Sequence, residues 1–137
     1  MNKIFKVAGI EIRNNEFLMV RKTGKDIWTN LGGKPESGET SEESLIREVK
    51  EELNSRINII QFIGEFENKA ALDDAVINIK LYEIKLLDNP IITDDELEEF
   101  RFIGENDIKE GINLPLSIRE QIIPKLIKQG LLKWEAK

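Results

Sequence analysis

The sequence predicts an α+β domain built on a mixed β-sheet that is covered on both faces. Three observations point there. Segments that read as strands and helices follow in the order strand, strand, helix, several strands, helix. The chain has 137 residues, 40% hydrophobic and 34% charged, as expected of one globular domain spanning 1–137. No internal repeat, low-complexity tract or linker divides it.

From Ile4 to Ile12 apolar and polar residues alternate loosely, Asn14 and Asn15 tolerate left-handed backbone, and Phe17 to Val20 is apolar again, which predicts a β-hairpin. Lys22 to Asp26 reads as a loop, and Ile27 to Leu31 as a short strand broken by Gly32 and Gly33. After a second loop, KPESGE, Thr40 opens a helix with Glu43 three residues on, so that each side chain satisfies a free backbone donor. Leu45, Ile46, Val49 and Leu53 recur at helical spacing and Asn54 suits a left-handed stop, which predicts a helix over Ser41–Leu53. Ile57 to Glu67 and Ala75 to Leu86, rich in β-branched and aromatic residues, read as strands joined by the loop NKAALDD. Asn89 and Pro90 turn the chain, and the acidic run TDDELEE leads into a short strand, FRFI. Asn106 to Glu110 suits one helical turn. Ser117 to Gln129 carries an apolar stripe of Ile118, Ile122, Leu126 and Ile127; Pro124 should kink or split that helix, and Gly130 should end it. The stripe suits the chain's own sheet or a partner, so monomer and homodimer both stay open.

Composition narrows the chemistry. A net charge of -6 and a pI near 4.9 argue against stable nucleic-acid binding, which rewards clustered Lys and Arg. A phosphate-bearing partner then needs a cation as intermediary. Cysteine and histidine are both absent, which leaves carboxylates, Lys, Tyr and water activated by a metal for acid–base work. No run approaches the roughly 20 apolar residues of a membrane span and no secretory leader is readable, so a soluble, cytoplasmic protein without a membrane partner is expected.

The stretch from Gly33 to Asn54 holds seven carboxylates, Glu48, Glu51 and Glu52 among them. At about 100° per residue these three centre roughly 120° from the stripe of Leu45, Ile46, Val49 and Leu53. Like charges three and four residues apart oppose helix formation by about 0.2 to 0.5 kcal/mol per pair. A hard divalent cation would offset that, because Mg²⁺ and Mn²⁺ prefer oxygen ligands. An acidic helical face is more often simply solvated, and on the glutamates alone that reading leads. The neighbours change the balance: Gly32 and Gly33 let backbone approach a ligand, and Arg47 can hold a carboxylate with two hydrogen bonds.

The joint spacing resembles the signature of the Nudix hydrolases. Gly33, Glu39, Arg47-Glu48, Val49 and Glu51-Glu52 match its Gly, Glu, Arg-Glu, apolar and Glu-Glu positions in register. Asn54 stands where the family has Gly, Ser55 where it has an apolar residue, and Leu31 where many members have Pro. Asn54 should keep the turn, Ser55 should loosen the helix end, and Leu31 should alter the lip before the glycines. The resemblance implies a three-layer α-β-α sandwich and a pyrophosphohydrolase that cleaves a nucleoside diphosphate linked to another group, using Mg²⁺ or Mn²⁺. It implies metal ligands at Glu48 and Glu52, Glu51 as a further ligand or a base, and the Gly32 carbonyl as an added ligand. Glu39 becomes a supporting ligand, and Arg47 orients the carboxylates rather than touching the substrate. The run ELEEFRFI resembles a later family segment, which makes Glu96, and after it Glu99, a candidate fourth carboxylate and base.

For the substrate, Trp28 at the mouth of the site leads Phe62, Phe66, Tyr82 and Phe102 as a stacking surface, although strand aromatics are usually core. Gly33 and Lys34, with Lys22 and Lys25, are candidates for phosphate contact. The leading function is hydrolysis of a nucleoside triphosphate, of the kind that removes oxidised nucleotides such as 8-oxo-dGTP. The alternatives are hydrolysis of ADP-ribose, a nucleotide sugar or a dinucleoside polyphosphate, and a non-catalytic nucleotide sensor. A plain acidic interaction domain is the remaining rival.

Overall fold

A computed structural model describes residues 2–69 and 74–135. Two four-stranded sheets lie between a helix on one side and a helical segment on the other. The first sheet has the order β5-β1-β7-β6, with β1 (Asn2–Ile10) and β7 (Ala75–Leu86) parallel, and β5 (Leu31–Gly33) and β6 (Ile57–Lys69) antiparallel to their neighbours. In the second, β3 (Glu16–Lys22) is central. It pairs with β8 (Leu97–Ile103) along one edge and with β2 (Ile12–Arg13) and β4 (Trp28–Thr29), end to end, along the other. The predicted mixed sheet covered on both faces is therefore present, divided in two.

The first strand departs from the expected hairpin. Only β2 turns back on β3, through Asn14 and Asn15, both left-handed. β1 ends at Ile10 and belongs to the other sheet. Between them Glu11 is buried, and its carboxylate accepts the Leu86 N–H at 2.6 Å and pairs with Arg13 at 2.5 Å. Gly32 and Gly33, expected to break a strand, form β5 opposite Ala8 and Val7.

Strand alternation sends side chains to two cores. On β3, Leu18 and Val20 pack with Leu45, Val49 and Leu53 of α1 (Ser41–Leu53), whereas Phe17 and Met19 pack with Ile118, Ile122, Ile123 and Leu126. The helix α1 begins and ends where its signals predict: Thr40 Oγ1 accepts the Glu43 N–H, Glu43 accepts the Thr40 N–H, and Asn54 is left-handed at φ 52°. Asn54→Ala is expected to lose about 1 kcal/mol and Asn54→Gly to melt near wild type, because only the former pays the left-handed cost of a Cβ without a local polar partner. Thermal melts check this.

Ile46, placed in the core stripe by spacing, is 48% exposed. Ser55, expected to loosen the helix end, instead anchors it: its buried hydroxyl donates to the Arg56 carbonyl and accepts the Asp88 N–H, beside an Arg56–Asp88 ion pair at 2.9 Å. The loop between β6 and β7 has its central residues, 70–73, outside the described residues.

After the short helix α2 (Glu105–Lys109), the last helical segment opens with a π-helical turn, Ile118–Ile122, that runs into α3 (Ile123–Lys128). Pro124 explains the wide turn, because it has no N–H to donate and its ring crowds the carbonyl one turn back. Ile118, Ile122 and Leu126 are buried on the chain's own sheet. Ile127, from the predicted stripe, is only partly buried there. No described helix is long and apolar enough to cross a membrane.

Candidate active site

Glu52 occupies a position on α1 that belongs to the buried side. It lies seven positions after Leu45, which places it only about 20° away around the helix, and it is 9% exposed. Its Oε1 accepts the Gly32 N–H at 3.1 Å. Glu48 lies one turn earlier beneath Gly33, where an added Cβ would meet Glu48 Oε1 at 2.7 Å. At Gly32, φ is +130° and a Cβ would fall 2.1 Å from the Val7 carbonyl oxygen. The paired glycines are thus required by close approach, to β1 on one side and to a carboxylate on the other.

A guanidinium fixes the rest of the cluster. Arg47 grips Glu39 with two hydrogen bonds, Nε at 2.6 Å and Nη2 at 2.9 Å. Its Nη1 reaches Glu51 at 2.9 Å and Glu48 at 3.1 Å. Glu39 also accepts the Glu36 N–H at 2.7 Å, so one carboxylate closes the loop before the helix and clamps Arg47. The Arg47 hydrogen bonds hold the Glu39 carboxyl below its ordinary pKa.

The far end of α1 brings in residues remote in sequence. Its terminal carbonyls need donors, and the segment after β7 supplies them: Ile91 N–H to Leu53, Thr93 N–H to Glu52 and Thr93 Oγ1 to Glu51 at 2.8 Å. Asp94 is thereby set beside Glu48 and Glu52. Glu96 follows two residues later, its carbonyl accepting the Thr23 N–H at 2.9 Å.

A cleft of about 530 Å³ opens over these groups. Glu48, Glu52, Asp94 and Glu96 line it together with Lys6, Lys22 and Lys34. Burial pushes the Glu52 carboxyl up to about 8, with Glu48 and Asp94 adding to the rise and the Gly32 N–H opposing it. Burial raises Glu48 as well, against the pull of Arg47. Burial lowers Lys6, helped by Lys22 and Lys34 nearby. Carboxylates and ammonium groups thus share one cavity, and burial disfavours the charged forms of Glu48, Glu52 and Lys6.

These donors fit a hard divalent cation: they are carboxylate oxygens, and the burial of Glu52 is only partly offset by the Gly32 N–H and Lys22. Among the described residues no three carboxylates converge on one point as the side chains stand.

Of the sequence-predicted residues, Lys22, Gly32, Gly33, Lys34, Glu48, Glu52 and Glu96 come together at the cleft. Arg47, Glu39 and Glu51 form the clamp behind it and do not line the cavity. Trp28, at 7% exposure, is packed in the core on the α3 side, with Arg21 over its ring, and is not available as a stacking surface on the cleft wall. Phe62, Phe66, Tyr82 and Phe102 line it no more than Trp28 does, and Lys25 stays outside. Glu99 binds Arg21. Lys6 and Asp94 were not singled out by sequence; the acidic run that holds Asp94 was the one available signal.

Among curated proteins none matches the chain's sequence. Solved structures share the fold at low identity. A UDP-X diphosphatase superposes with a TM-score of 0.80 at 23% identity over 96% of this chain, which spans 65% of that protein, just under two thirds. A Nudix hydrolase from Nitrosomonas europaea gives 0.79 at 15% identity, covering 98% of each chain. A MutT protein from Methanosarcina mazei Go1 gives 0.78 at 18%, covering 93% of this chain and 96% of that one. Residues 3–124 match the NUDIX domain, a span that includes the clamp, the paired glycines and the cleft carboxylates, and the chain belongs to the Nudix family.

Proposed function

We propose that the chain is a divalent-cation-dependent pyrophosphohydrolase acting on nucleoside triphosphates. The observation that carries this reading is the meeting of Glu48, Glu52 and Asp94 with Lys6, Lys22 and Lys34 in one cleft. Three ammonium groups suit a chain of three phosphates better than a diphosphate capped by a neutral sugar.

Glu48 and Glu52 are the principal cation ligands, and Arg47 keeps the Glu48 and Glu51 carboxylates in place. Bound there, Mg²⁺ or Mn²⁺ supplies neutralising charge and Lewis acidity toward the diphosphate and the attacking water. The lysines hold the phosphate chain in line for displacement. Glu96, an exposed residue lining the cleft, takes the proton as the water oxygen bonds to phosphorus and the anhydride P–O bond breaks. Products are a nucleoside monophosphate and pyrophosphate.

With its pKa near 8, Glu52 carries a proton at neutral pH until a cation displaces it. Cation uptake near pH 7 is expected to expel roughly one proton, and affinity to rise with pH until about 8 and then level off. Calorimetry in two buffers of different ionisation enthalpy measures this, and uptake with no proton release contradicts it. Incubating nucleoside triphosphates, ADP-ribose and UDP-sugars with Mg²⁺ or Mn²⁺ tests the substrate. Fastest release of pyrophosphate from a triphosphate is expected. Faster cleavage of a nucleotide sugar overturns the triphosphate assignment, and no cleavage of any overturns the enzyme.

A further inference from the structure

Asn30 lies between β4 and β5, where the chain passes from one sheet to the other. Trp28 belongs to the core on the α3 side. Leu31 belongs to the core on the α1 side, as does Val20, the partner of Thr29. Side chains alternate along an extended run, so Asn30 turns toward the α3 side, away from the α1 carboxylates. On that side the cleft is walled by Ala8, Ile79, Pro115 and Ile118. Such aliphatic surface suits the flat face of a base.

Asn30 lines the same cleft, and its Oδ1 is buried with no hydrogen-bond partner among the described residues. A buried carbonyl oxygen left without a donor is unfavourable, and native structures keep few of them. Because the residue lines the cleft, a turn of its side chain as a molecule binds would bring this oxygen a donor. The phosphate chain cannot supply it, since its oxygens carry little proton at neutral pH and repel a carbonyl oxygen. The complementary group is on the nucleoside, where every common base carries an amino or imino N–H.

We propose that Asn30 determines base specificity: its Oδ1 accepts a hydrogen bond from an N–H of the substrate's base, while the aliphatic wall receives the ring. This rests on reading the cleft as a nucleotide site.

The test compares wild type, Asn30→Leu and Asn30→Asp on the common ribonucleoside triphosphates, their 2′-deoxy forms, and the triphosphates of purine riboside and 2-pyrimidinone riboside, whose bases carry no N–H. Wild type is expected to show kcat/KM about ten- to a hundredfold lower on the analogue than on the preferred common nucleotide of the same ring class, expressed mainly in KM. Asn30→Leu should erase that gap, and Asn30→Asp, which still accepts, should retain it. Without nucleotide, Asn30→Leu should melt no lower than wild type, since the Asn30 Oδ1 has no hydrogen-bond partner among the described residues. A gap unchanged by Asn30→Leu, an equal loss on every substrate, or a loss that follows the 2′-hydroxyl overturns the proposal. So does a lowered melting temperature with the gap intact, which assigns Asn30 to the fold. Wild type that turns over no nucleotide removes the nucleotide reading and this proposal with it; turnover with an unaltered gap removes this proposal alone.

Discussion

Glu52→Gln is expected to lose turnover by about a thousandfold or more, equivalent to about 4 kcal/mol of transition-state stabilisation, while the protein without cation becomes more stable at alkaline pH. The amide keeps an oxygen for the Gly32 N–H, so the helix and β5 stay in place. What disappears is the negative charge that the proposed cation needs. The stability effect follows from the same burial. Glu52 has its folded-state pKa raised from 4.5 to about 8, so the folded protein holds that proton more tightly than the unfolded chain. The associated stability is fully present below about pH 4.5 and is lost as pH rises toward 8. Glutamine mimics the protonated acid at every pH. The variant should therefore melt like wild type near pH 4.5 and several degrees higher above pH 8. Steady-state kinetics and melts across pH measure both halves; near-normal turnover, or a variant less stable at alkaline pH, would contradict them.

Arg47→Ala carries the second large effect, for the opposite reason. Its removal strips Glu39, Glu48 and Glu51 of a shared cation, and it frees the loop that Glu39 closes. Hydrogen bonds between charged groups contribute more than neutral ones, and the two to Glu39 are part-buried. A loss of roughly 2 kcal/mol in stability is expected, with turnover down about a hundred- to a thousandfold because the Glu48 carboxylate loses its fixed rotamer. Arg47→Lys keeps the charge but not the planar fork that reaches both oxygens of Glu39. It should recover stability better than turnover. Urea unfolding beside initial rates separates the two, and wild-type turnover in Arg47→Ala would show that the clamp has no part in activity.

Much of this was legible because its causes are local. Thr40, Glu43 and Asn54 mark the ends of α1 through hydrogen bonds and dihedrals set within a few residues. The spacing of Gly33, Glu39, Arg47, Glu48 and Glu52 reflects one loop folding back on one helix. Contacts between distant segments were hidden. β1 takes β7 as a parallel neighbour about 70 residues away, so its first partner in sequence is not its partner in space. Lys6 reads as one polar residue in a strand until Lys22 and Lys34 are folded around the same cleft. Asp94 acquires meaning only when Ile91 and Thr93 cap the carbonyls of α1. The three glutamates share a mean direction on the helix, but Glu52 itself sits beside Leu45, about 20° away. Trp28 stands near the glycines in sequence but is packed into the α3-side core and lies outside the cleft, although Asn30 on the same face lines it.

The central claim is that Glu48 and Glu52 hold a divalent cation against a phosphate chain. Electron paramagnetic resonance of Mn²⁺, titrated in the presence of a non-hydrolysable nucleoside triphosphate analogue, tests it most directly. Wild type should deplete the free Mn²⁺ signal beyond what the analogue does alone, and the Glu48→Gln, Glu52→Gln double variant should not. Equal depletion by both proteins would contradict the account.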